Sequence, residues 1–195
     1  MLFNMRLVSG NTNKDFGFKK MADSIIEQID TLAHIANEFS NFAKLPKVNL
    51  ETVNLTESIR STIELFKNNH GVQINFVSPS ENIKVLADKN QCLRVFNNLI
   101  KNAVQSIPDG KEGKIDVHVE ELSDIVKVTI KDNGIGIADN LRPKIFTPNF
   151  TTKSTGTGLG LAMVKNSMVS FNGDISFESI VNEGTTFTLT FNKAQ

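Results

Sequence analysis

An acidic residue followed by two closely spaced glycines, Asp132-Asn133-Gly134-Ile135-Gly136, is the stretch of this 195-residue chain that most clearly suggests a binding site. A carboxylate at the end of a strand can accept a hydrogen bond from the exocyclic amine of adenine, whereas guanine presents an oxygen at that edge. Gly134 and Gly136 would let the backbone come close to a ring. The alternative is an ordinary surface turn, because Asp-Asn-Gly is common turn chemistry.

A second glycine-rich stretch, Gly156-Thr157-Gly158-Leu159-Gly160, directly precedes a segment with a helical apolar pattern. The free N–H groups at a helix N-terminus and the positive end of the helix dipole can bind phosphates. Lys153 lies three residues upstream of Gly156 and could neutralise a terminal phosphate. A short glycine motif and a lysine also occur in plain surface loops, so neither is decisive alone.

Two asparagines four residues apart, Asn98 and Asn102, share one face of a predicted helix. Their amide oxygens are neutral ligands that Mg²⁺ accepts when phosphate oxygens and water complete its octahedron. An isolated pair would more simply be a solvated helix face. The order of Asn pair, acidic glycine motif and glycine loop favours a nucleotide site. Thr185, after Gly184, could return a hydroxyl to the adenine end.

The elements that must position these residues follow from periodicity and capping signals. Helices are predicted after the capping pairs Asn54/Glu57 and Asp88/Gln91, and over 161–171. Strands are predicted at 73–77, 84–87, 114–121, 124–131, 174–180 and 185–191. Residues 137–157 contain many turn formers and are predicted to be a mobile lid. Together these elements predict an α+β fold, with a mixed sheet covered by helices.

The N-terminal region has a heptad pattern, with apolar residues at Ile25, Ile29, Leu32, Ala36, Phe39 and Ala43. This spacing predicts a helix over about 19–45, which ends at Leu45-Pro46 because proline cannot continue a helix. Such a helix should pair with another helix. We therefore expect a homodimer through a four-helix bundle.

Composition excludes several other classes of protein. The 21 Lys and Arg residues balance the 21 Asp and Glu residues, which disfavours nucleic acid as a partner. The single cysteine, Cys92, cannot form an internal disulfide and is predicted to be an inert core residue in a reducing compartment. No stretch approaches the roughly 18 consecutive apolar residues of a membrane span, so this chain is not expected to be membrane-embedded.

Five ordered motifs together resemble the N, G1, F, G2 and G3 boxes of the histidine kinase catalytic domain. They are N-x-x-x-N (98–102), D-N-G-I-G (132–136), F-T-T-K (150–153), G-T-G-L-G-L (156–161) and G-T-T-F (184–187). This domain belongs to the superfamily shared with DNA gyrase, the Hsp90 chaperones and MutL. The resemblance covers about residues 50–192. In addition, E-F-S-N-F-A-K-L-P (38–46) is similar to the end of the second dimerisation helix in nitrogen-regulation sensor kinases.

The resemblance implies a two-layer α/β sandwich, the Bergerat ATP-binding fold, preceded by a helical hairpin arm. Residues 1–46 would be a partial dimerisation region and 47–195 the catalytic domain. The resemblance also implies that Asn98 and Asn102 hold Mg²⁺, that Asp132 and Thr185 read the adenine of ATP, and that the loop from 134 to 160 closes over the phosphates. One departure is Asn149, where relatives often have a second Phe.

The resemblance further implies a response regulator receiver domain as partner. It implies a cytoplasmic location, whether or not the parent protein is anchored in the inner membrane.

The phosphate-accepting histidine of such kinases is missing from the sequence. The three histidines are His34, His70 and His118, and none is followed by an acidic residue as the family motif requires. We expect truncation within the first dimerisation helix, with Met1–Val8 as its remnant, and a fragment that binds ATP without phosphorylating itself. Two alternatives stay open: a nucleotide-binding interaction module without kinase activity, and a gyrase- or MutL-like ATPase.

Overall fold

The computed structural model describes residues 18–29, 32–33, 40, 48–67, 71–153 and 156–194. The chain divides into two units, Met1–Leu45 and Pro46–Gln195. All described residues of the first unit are helical, and we refer to them as α1. Three heptad positions in α1, Ile25, Ile29 and Leu32, are 53 to 65% exposed. The other three, Ala36, Phe39 and Ala43, lie outside the described residues.

A five-stranded mixed sheet forms the framework of the second unit. The unit has seven strands, which in chain order are β1 (Glu51–Asn54), β2 (Val72–Val77), β3 (Lys84–Ala87), β4 (Gly113–Glu121), β5 (Ile125–Asp132), β6 (Asp174–Ile180) and β7 (Gly184–Asn192). The large sheet has the spatial order β2-β4-β5-β7-β6, and β1 and β3 form a separate antiparallel pair. Within the large sheet, β2 and β4 pair in parallel and all other neighbouring strands are antiparallel. The predicted hairpin is confirmed, because β4 and β5 are adjacent and antiparallel.

One face of the large sheet is buried and the other faces solvent. Along β4, Ile115, Val117 and Val119 are buried, whereas the alternating Asp116 and His118 are exposed. Successive side chains of a strand point to opposite faces, so this alternation places a single apolar layer on the sheet. That layer is what the helices cover.

Three helices and a short 3₁₀ helix complete the second unit: α2 (Leu55–Glu64), α3 (Lys89–Ser106), Arg142–Lys144 and α4 (Gly160–Ser170). Both predicted helix caps are confirmed. The Asn54 side chain accepts a hydrogen bond from the Glu57 N–H (3.2 Å), and the Asp88 side chain accepts one from the Gln91 N–H (3.0 Å). These side chains satisfy N–H groups that have no partner within the helix.

The central helix α3 anchors the core. It packs against α2, α4 and the sheet, and its fully buried Phe96 lies 6.2 Å, ring centre to ring centre, from Phe191 of β7. The sequence predicts a buried stripe that runs from Leu93 to Ile107, but both of these end positions are only half-buried. Contact with layers on several sides of α3 buries additional residues instead, namely Cys92, Val95 and Leu99.

The observed architecture confirms the predicted α+β class, with a mixed sheet covered by helices. Within the part of the chain that the structure describes, no helix is both long enough and apolar enough to cross a membrane.

Candidate nucleotide-binding site

Asp132 ends β5 and is the centre of the candidate site. It is only 4% exposed, which is unusual for a carboxylate. Its Oδ1 accepts hydrogen bonds from the Gly134 N–H (2.8 Å), the Ser106 hydroxyl (2.9 Å) and the Thr185 N–H (3.3 Å). Among the described residues, every hydrogen bond to this carboxylate is accepted by Oδ1. Oδ2 is therefore free to accept from a ligand.

The environment of Asp132 shifts its pKa upward. Burial disfavours the charged carboxylate and raises the pKa, while the donors from Gly134, Ser106 and Thr185 and the positive charge of Lys153 oppose that rise. The net direction is upward, so the desolvation effect outweighs the donors. A buried acid with a perturbed pKa that is held by several donors is typical of a functional site.

Three glycines let the backbone close around Asp132. A Cβ added to Gly134 would lie 2.0 Å from the Ser106 Oγ, and one added to Gly184 would lie 1.9 Å from the Asp132 carbonyl oxygen. Gly184 has φ +133° and Gly136 has φ +69°, values that side chains rarely allow. Gly136 and Gly184 therefore require glycine for packing as well as for backbone conformation, and Gly134 requires it for packing.

Asn133 fixes the turn that follows Asp132. Its Oδ1 accepts from the Lys114 N–H (2.8 Å) and its Nδ2 donates to the Glu112 carbonyl (3.0 Å). The side chain thus continues the β4–β5 ladder by one position after the strands separate. Lys111 also donates to the Asn133 carbonyl. The turn is consequently held by β4 and the residues just before it, in addition to its contact with α3.

Thr185 brings a hydroxyl to the same place. It is 5% exposed, and its Oγ1 lies 2.9 Å from the Oγ of Ser179. The Ser179 hydroxyl also lies 3.0 Å from the Gly184 carbonyl, to which it donates. Since a hydroxyl has one proton, Thr185 is the donor in the Thr185–Ser179 contact and keeps lone pairs for a ligand.

The asparagine pair lies on α3 with free side-chain amides. Asn98 and Asn102 are half-buried, and no hydrogen bond of the described residues uses either amide group. The start of α4 packs directly against Asn98, because a Cβ on Gly160 would lie 3.2 Å from the Asn98 Oδ1. The structure therefore places the first asparagine beside the end of the glycine loop.

These residues fit a magnesium ion that is shared with a phosphate chain. No group of three or more His, Cys, Asp or Glu that could hold a metal occurs in the described ranges. The described residues near the asparagine pair therefore do not form a metal site made of carboxylates. Mg²⁺ commonly takes few protein oxygens and completes its octahedron with phosphate oxygens and water. Two unengaged amide oxygens agree with that chemistry.

The glycine loop leads into α4 at Gly160. Its N-cap residue, Leu159, supplies no side-chain hydrogen bond, so the first N–H groups of α4 have no cap. Gly158 has φ +69°, and a Cβ there would lie 2.6 Å from the carbonyl carbon of Asn149. Asn149 itself has φ 63°, a conformation that Asn tolerates better than Phe.

Within the loop, the Gly156 N–H donates to the Lys153 carbonyl (3.3 Å), and the Leu159 N–H donates to the Thr157 Oγ1 (3.5 Å). The predicted lid includes residues 154–155, which lie outside the described residues. Its mobility stays a prediction.

Lys153 reaches α3 from the F-T-T-K segment. Its ammonium donates to the Oε1 of Gln105 (2.8 Å), three residues beyond Asn102. Burial lowers the pKa of Lys153, the nearby Lys101 lowers it further, and Asp132 opposes both effects. The ammonium is therefore a partly desolvated cation, whose attraction for an anion is stronger than that of a surface lysine.

The predicted site residues accordingly fall into three groups. Asp132, Gly134 and Thr185 are in direct contact, Asn98 adjoins Gly160, and Lys153 contacts α3. Sequence reasoning missed two hydroxyls, those of Ser106 and Ser179. The spacing of four residues from Asn102 to Ser106 was an available signal. Ser179 could not be found in this way, because its contact depends on the register that pairs it with Thr185 across β6 and β7.

Comparison with known proteins decides the family. Residues 87–195 match the family described as histidine kinase-, DNA gyrase B-, and HSP90-like ATPase. The chain belongs to this family. The match includes the acidic glycine motif, the asparagine pair and the glycine loop, and ATP is the nucleotide that the family description implies.

The relatives narrow the resemblance to sensor histidine kinases. The chain is 34% identical over 174 residues to the sensor histidine kinase ZraS of Salmonella typhimurium, which covers 87% of this chain and 37% of ZraS. The catalytic domain of the histidine kinase ThkA has a TM-score of 0.67 at 32% identity over 74% of this chain and 96% of that one. ThkA in complex with the response regulator protein TrrA has a TM-score of 0.72 at 26% identity over 96% of this chain and 53% of that one.

These matches confirm the family resemblance and the fold that the five motifs indicated. The chain spans about a third of the length of ZraS.

Proposed function

We propose that this chain is the ATP-binding catalytic part of a sensor histidine kinase. Such a kinase transfers the γ-phosphoryl group of ATP to a histidine for relay to a response regulator. The observation that carries the proposal is the buried Asp132 carboxylate, one oxygen of which is held by three donors. A carboxylate fixed in this way is suited to accept from the adenine amine through its other oxygen. It would repel the oxygen that guanine presents at the same edge.

The adenine end of the proposed site comprises Asp132, Thr185 and the turn glycines Gly134 and Gly136. The Thr185 hydroxyl adds an acceptor beside the carboxylate. The glycines leave room for the ring edge to reach both groups. Recognition by a rigid carboxylate has little ordering cost, because protein donors already hold its orientation.

The phosphate end comprises the asparagine pair, Lys153 and the loop Gly156-Thr157-Gly158-Leu159-Gly160. Asn98 and Asn102 would hold Mg²⁺, which neutralises charge on the phosphate oxygens when it is bound. The uncapped N–H groups at the start of α4 and the Lys153 ammonium provide further positive potential. The glycines at 156, 158 and 160 allow the loop backbone to approach the phosphates.

The acceptor histidine is proposed to come from outside this sequence. His118 lies exposed on β4, on the face of the sheet away from the helices, and is not followed by an acidic residue. His34 and His70 lie outside the described residues. We therefore propose that residues 47–195 bind ATP, that residues 1–46 belong to a dimerisation region, and that this chain alone does not phosphorylate itself. Its proposed location is the cytoplasm, facing a response regulator receiver domain.

A homodimer through the N-terminal helices is part of the same proposal. The exposed apolar positions Ile25, Ile29 and Leu32 of α1 support it, because a heptad seam is normally covered by a partner helix. Sedimentation of the chain should show a dimer that Ile29→Asp dissociates, whereas the control Gln28→Asp on the same helix should leave it intact. A monomeric wild-type chain, or equal effects of the two changes, would count against the assignment.

Calorimetry tests the proposed site directly. The wild-type chain should bind ATP more tightly with Mg²⁺ than with a chelator. Asn102→Ala should remove most of that difference, and the control Asn97→Ala, a change to an exposed asparagine of the same helix, should keep it. Mixing the ATP-loaded chain with a kinase segment that carries an intact acceptor helix should then yield phosphohistidine. ATP binding without any transfer to such acceptors would favour an interaction module instead.

A further inference from the structure

Ser106, the last residue of α3, connects the two ends of the candidate site. It lies four residues after Asn102 and eight after Asn98, so the three residues occupy one helix face. Its hydroxyl lies 2.9 Å from the Asp132 Oδ1, and its carbonyl accepts from the Ile135 N–H (3.0 Å). One residue of the asparagine helix thus holds both the acidic side chain and the turn behind it.

The contact is tight. A Cβ on Gly134 would lie 2.0 Å from the Ser106 Oγ and 2.6 Å from the Ser106 Cβ, so the turn and the serine pack without spare room. The other two donors to Oδ1 are backbone N–H groups, those of Gly134 and Thr185. Ser106 is therefore the one side chain in the described structure that donates to Asp132, and the donor that a substitution can remove.

The Ser106 hydroxyl has a choice of acceptors. It lies 2.7 Å from the Ala103 carbonyl and 2.9 Å from the Asp132 Oδ1, but a hydroxyl has only one proton. A charged carboxylate is the stronger acceptor, so the proton favours Asp132 when that group is ionised. When Asp132 is protonated, the hydroxyl can donate to the Ala103 carbonyl instead, without any movement of the serine oxygen.

We propose that Ser106 is a positioning residue that keeps Asp132 oriented and ionised, and so sets how strongly the chain selects adenine over guanine. The inference rests on the proposed function, because it concerns the same carboxylate. An ionised Asp132 only accepts, which suits the amine of adenine. A protonated Asp132 also donates, which suits the oxygen of guanine. The donor that favours the charged form is therefore also a determinant of base choice.

The charged groups around Asp132 are few. The ammonium of Lys153 acts on the carboxylate, and that of Lys111 binds the adjoining Asn133 carbonyl. The described neighbours of Asp132 on α3, β4 and β7 are Ser106, its ladder partner Ile115, and Gly184 with Thr185. None of these neighbours titrates between acid and neutral pH. A difference between the pH profiles of the wild type and a Ser106 variant consequently reports Asp132, because the titrating groups of the nucleotide are the same for both proteins.

The test compares Ser106→Ala with a closely matched control, Ser170→Ala. Ser170 is likewise the last residue of its helix, α4, is likewise half-buried, and donates to the carbonyl three residues earlier at 2.7 Å. It has no contact with Asp132 among the described hydrogen bonds. A purely structural effect of losing the helix-terminal hydroxyl should therefore appear in both variants.

The full chain is titrated with a non-hydrolysable ATP analogue and its GTP counterpart, with Mg²⁺, from acid to neutral pH. Ser106→Ala should bind the ATP analogue up to about tenfold more weakly at neutral pH, because Asp132 loses the donor that orients it and favours its charged form. Its affinity should fall at higher pH than that of the wild type, and its preference for ATP over GTP should narrow. Carbon-13 NMR of the Asp132 carboxyl should show a higher pKa in this variant.

The outcomes separate the inference from the proposed function. A wild-type chain that binds neither nucleotide defeats both. A wild type that selects ATP, together with a Ser106→Ala variant of unchanged affinity, base preference and pH profile, overturns only the role of Ser106. If Ser106→Ala does not fold, Ser106→Cys keeps the volume with a much weaker donor. This second variant should shift the pH profile in the same direction, and an unshifted profile would overturn the proposal.

Discussion

Replacing Asp132 with asparagine should weaken ATP binding and at the same time stabilise the empty protein. The new side chain has nearly the same shape, and its oxygen can still receive the donors from Gly134, Ser106 and Thr185. Its NH₂ group would then occupy the position of Oδ2 and meet the adenine amine donor to donor. The lost contact is a hydrogen bond to a charged group, which contributes about 1.5–3 kcal/mol, or roughly 10- to 150-fold in Kd.

The stability effect follows from the direction of the pKa shift. Burial raises the pKa of Asp132 in the folded chain above its value in the unfolded chain. Between these two pKa values the folded state binds more protons than the unfolded state. The contribution of Asp132 to stability is therefore greatest below the unfolded pKa and falls as pH rises through the folded pKa. Asp132→Asn removes the buried charge. The free energy of unfolding of this variant should exceed that of the wild type most at neutral pH, and the difference should shrink in acid.

Calorimetry with ATP and GTP, together with thermal melts of the empty protein across pH, measures both effects. The matched control is Asp116→Asn, which makes the same chemical change on the neighbouring strand β4 at an exposed position. That variant should retain ATP affinity and show no comparable rise in stability at neutral pH. The reasoning is refuted if Asp132→Asn binds ATP as tightly as the wild type, or if it is less stable than the wild type at neutral pH.

Two further predictions concern backbone packing and the core. Gly184→Ala should lose more than about 2 kcal/mol of unfolding free energy in urea titrations, because its Cβ would lie 1.9 Å from the Asp132 carbonyl at φ +133°. Gly110→Ala has open space at φ +80° and should lose only about 1 kcal/mol, so equal losses would contradict the packing argument. Burial raises the pKa of Cys92 to about 12, so the native chain should resist thiol reagents at neutral pH and react only on unfolding. Rapid labelling of the native protein would contradict this.

Most of the fold could be predicted because its signals are local. The apolar and polar residues that alternate in β4 and β5 predict the two strands of the hairpin, and the capping residues Asn54 and Asp88 predict two helix starts. Strand β1 was not predicted, because only Val53 of its four residues is buried and its partner β3 lies about thirty residues away. Such a short strand exists only through its tertiary pairing.

Helix α2 is shorter than its periodicity predicts. The apolar pattern runs on to Phe66, yet the helix ends at Glu64 and Leu65 is 75% exposed. Phe66 still packs, partly buried, against the core after the helix has ended. In this region the pattern therefore indicates which face is apolar without indicating where the helix ends.

In the candidate site, too, some residues could be predicted from the sequence and others could not. Asp132, Gly134 and Thr185 could be predicted to act together because two ordered motifs, D-N-G-I-G and G-T-T-F, carry them. The spacing from Asn102 places Ser106 on the asparagine face, but its contact with Asp132 depends on the packing of α3 against β5. The Ser179 contact depends on the register of β6 and β7. Ser106 reaches Asp132 across 26 positions, from the end of α3 to the end of β5.

In the proposed complex, Asp132 binds the adenine amine while the asparagine pair and the glycine loop bind the phosphates. A crystal structure of the chain with Mg²⁺ and a non-hydrolysable ATP analogue tests it most directly. We expect the exocyclic amine within hydrogen-bond distance of the Asp132 Oδ2, and the metal on the Asn98 and Asn102 amide oxygens. An analogue whose base binds elsewhere, or with Asp132 facing no donor of the ligand, would contradict it.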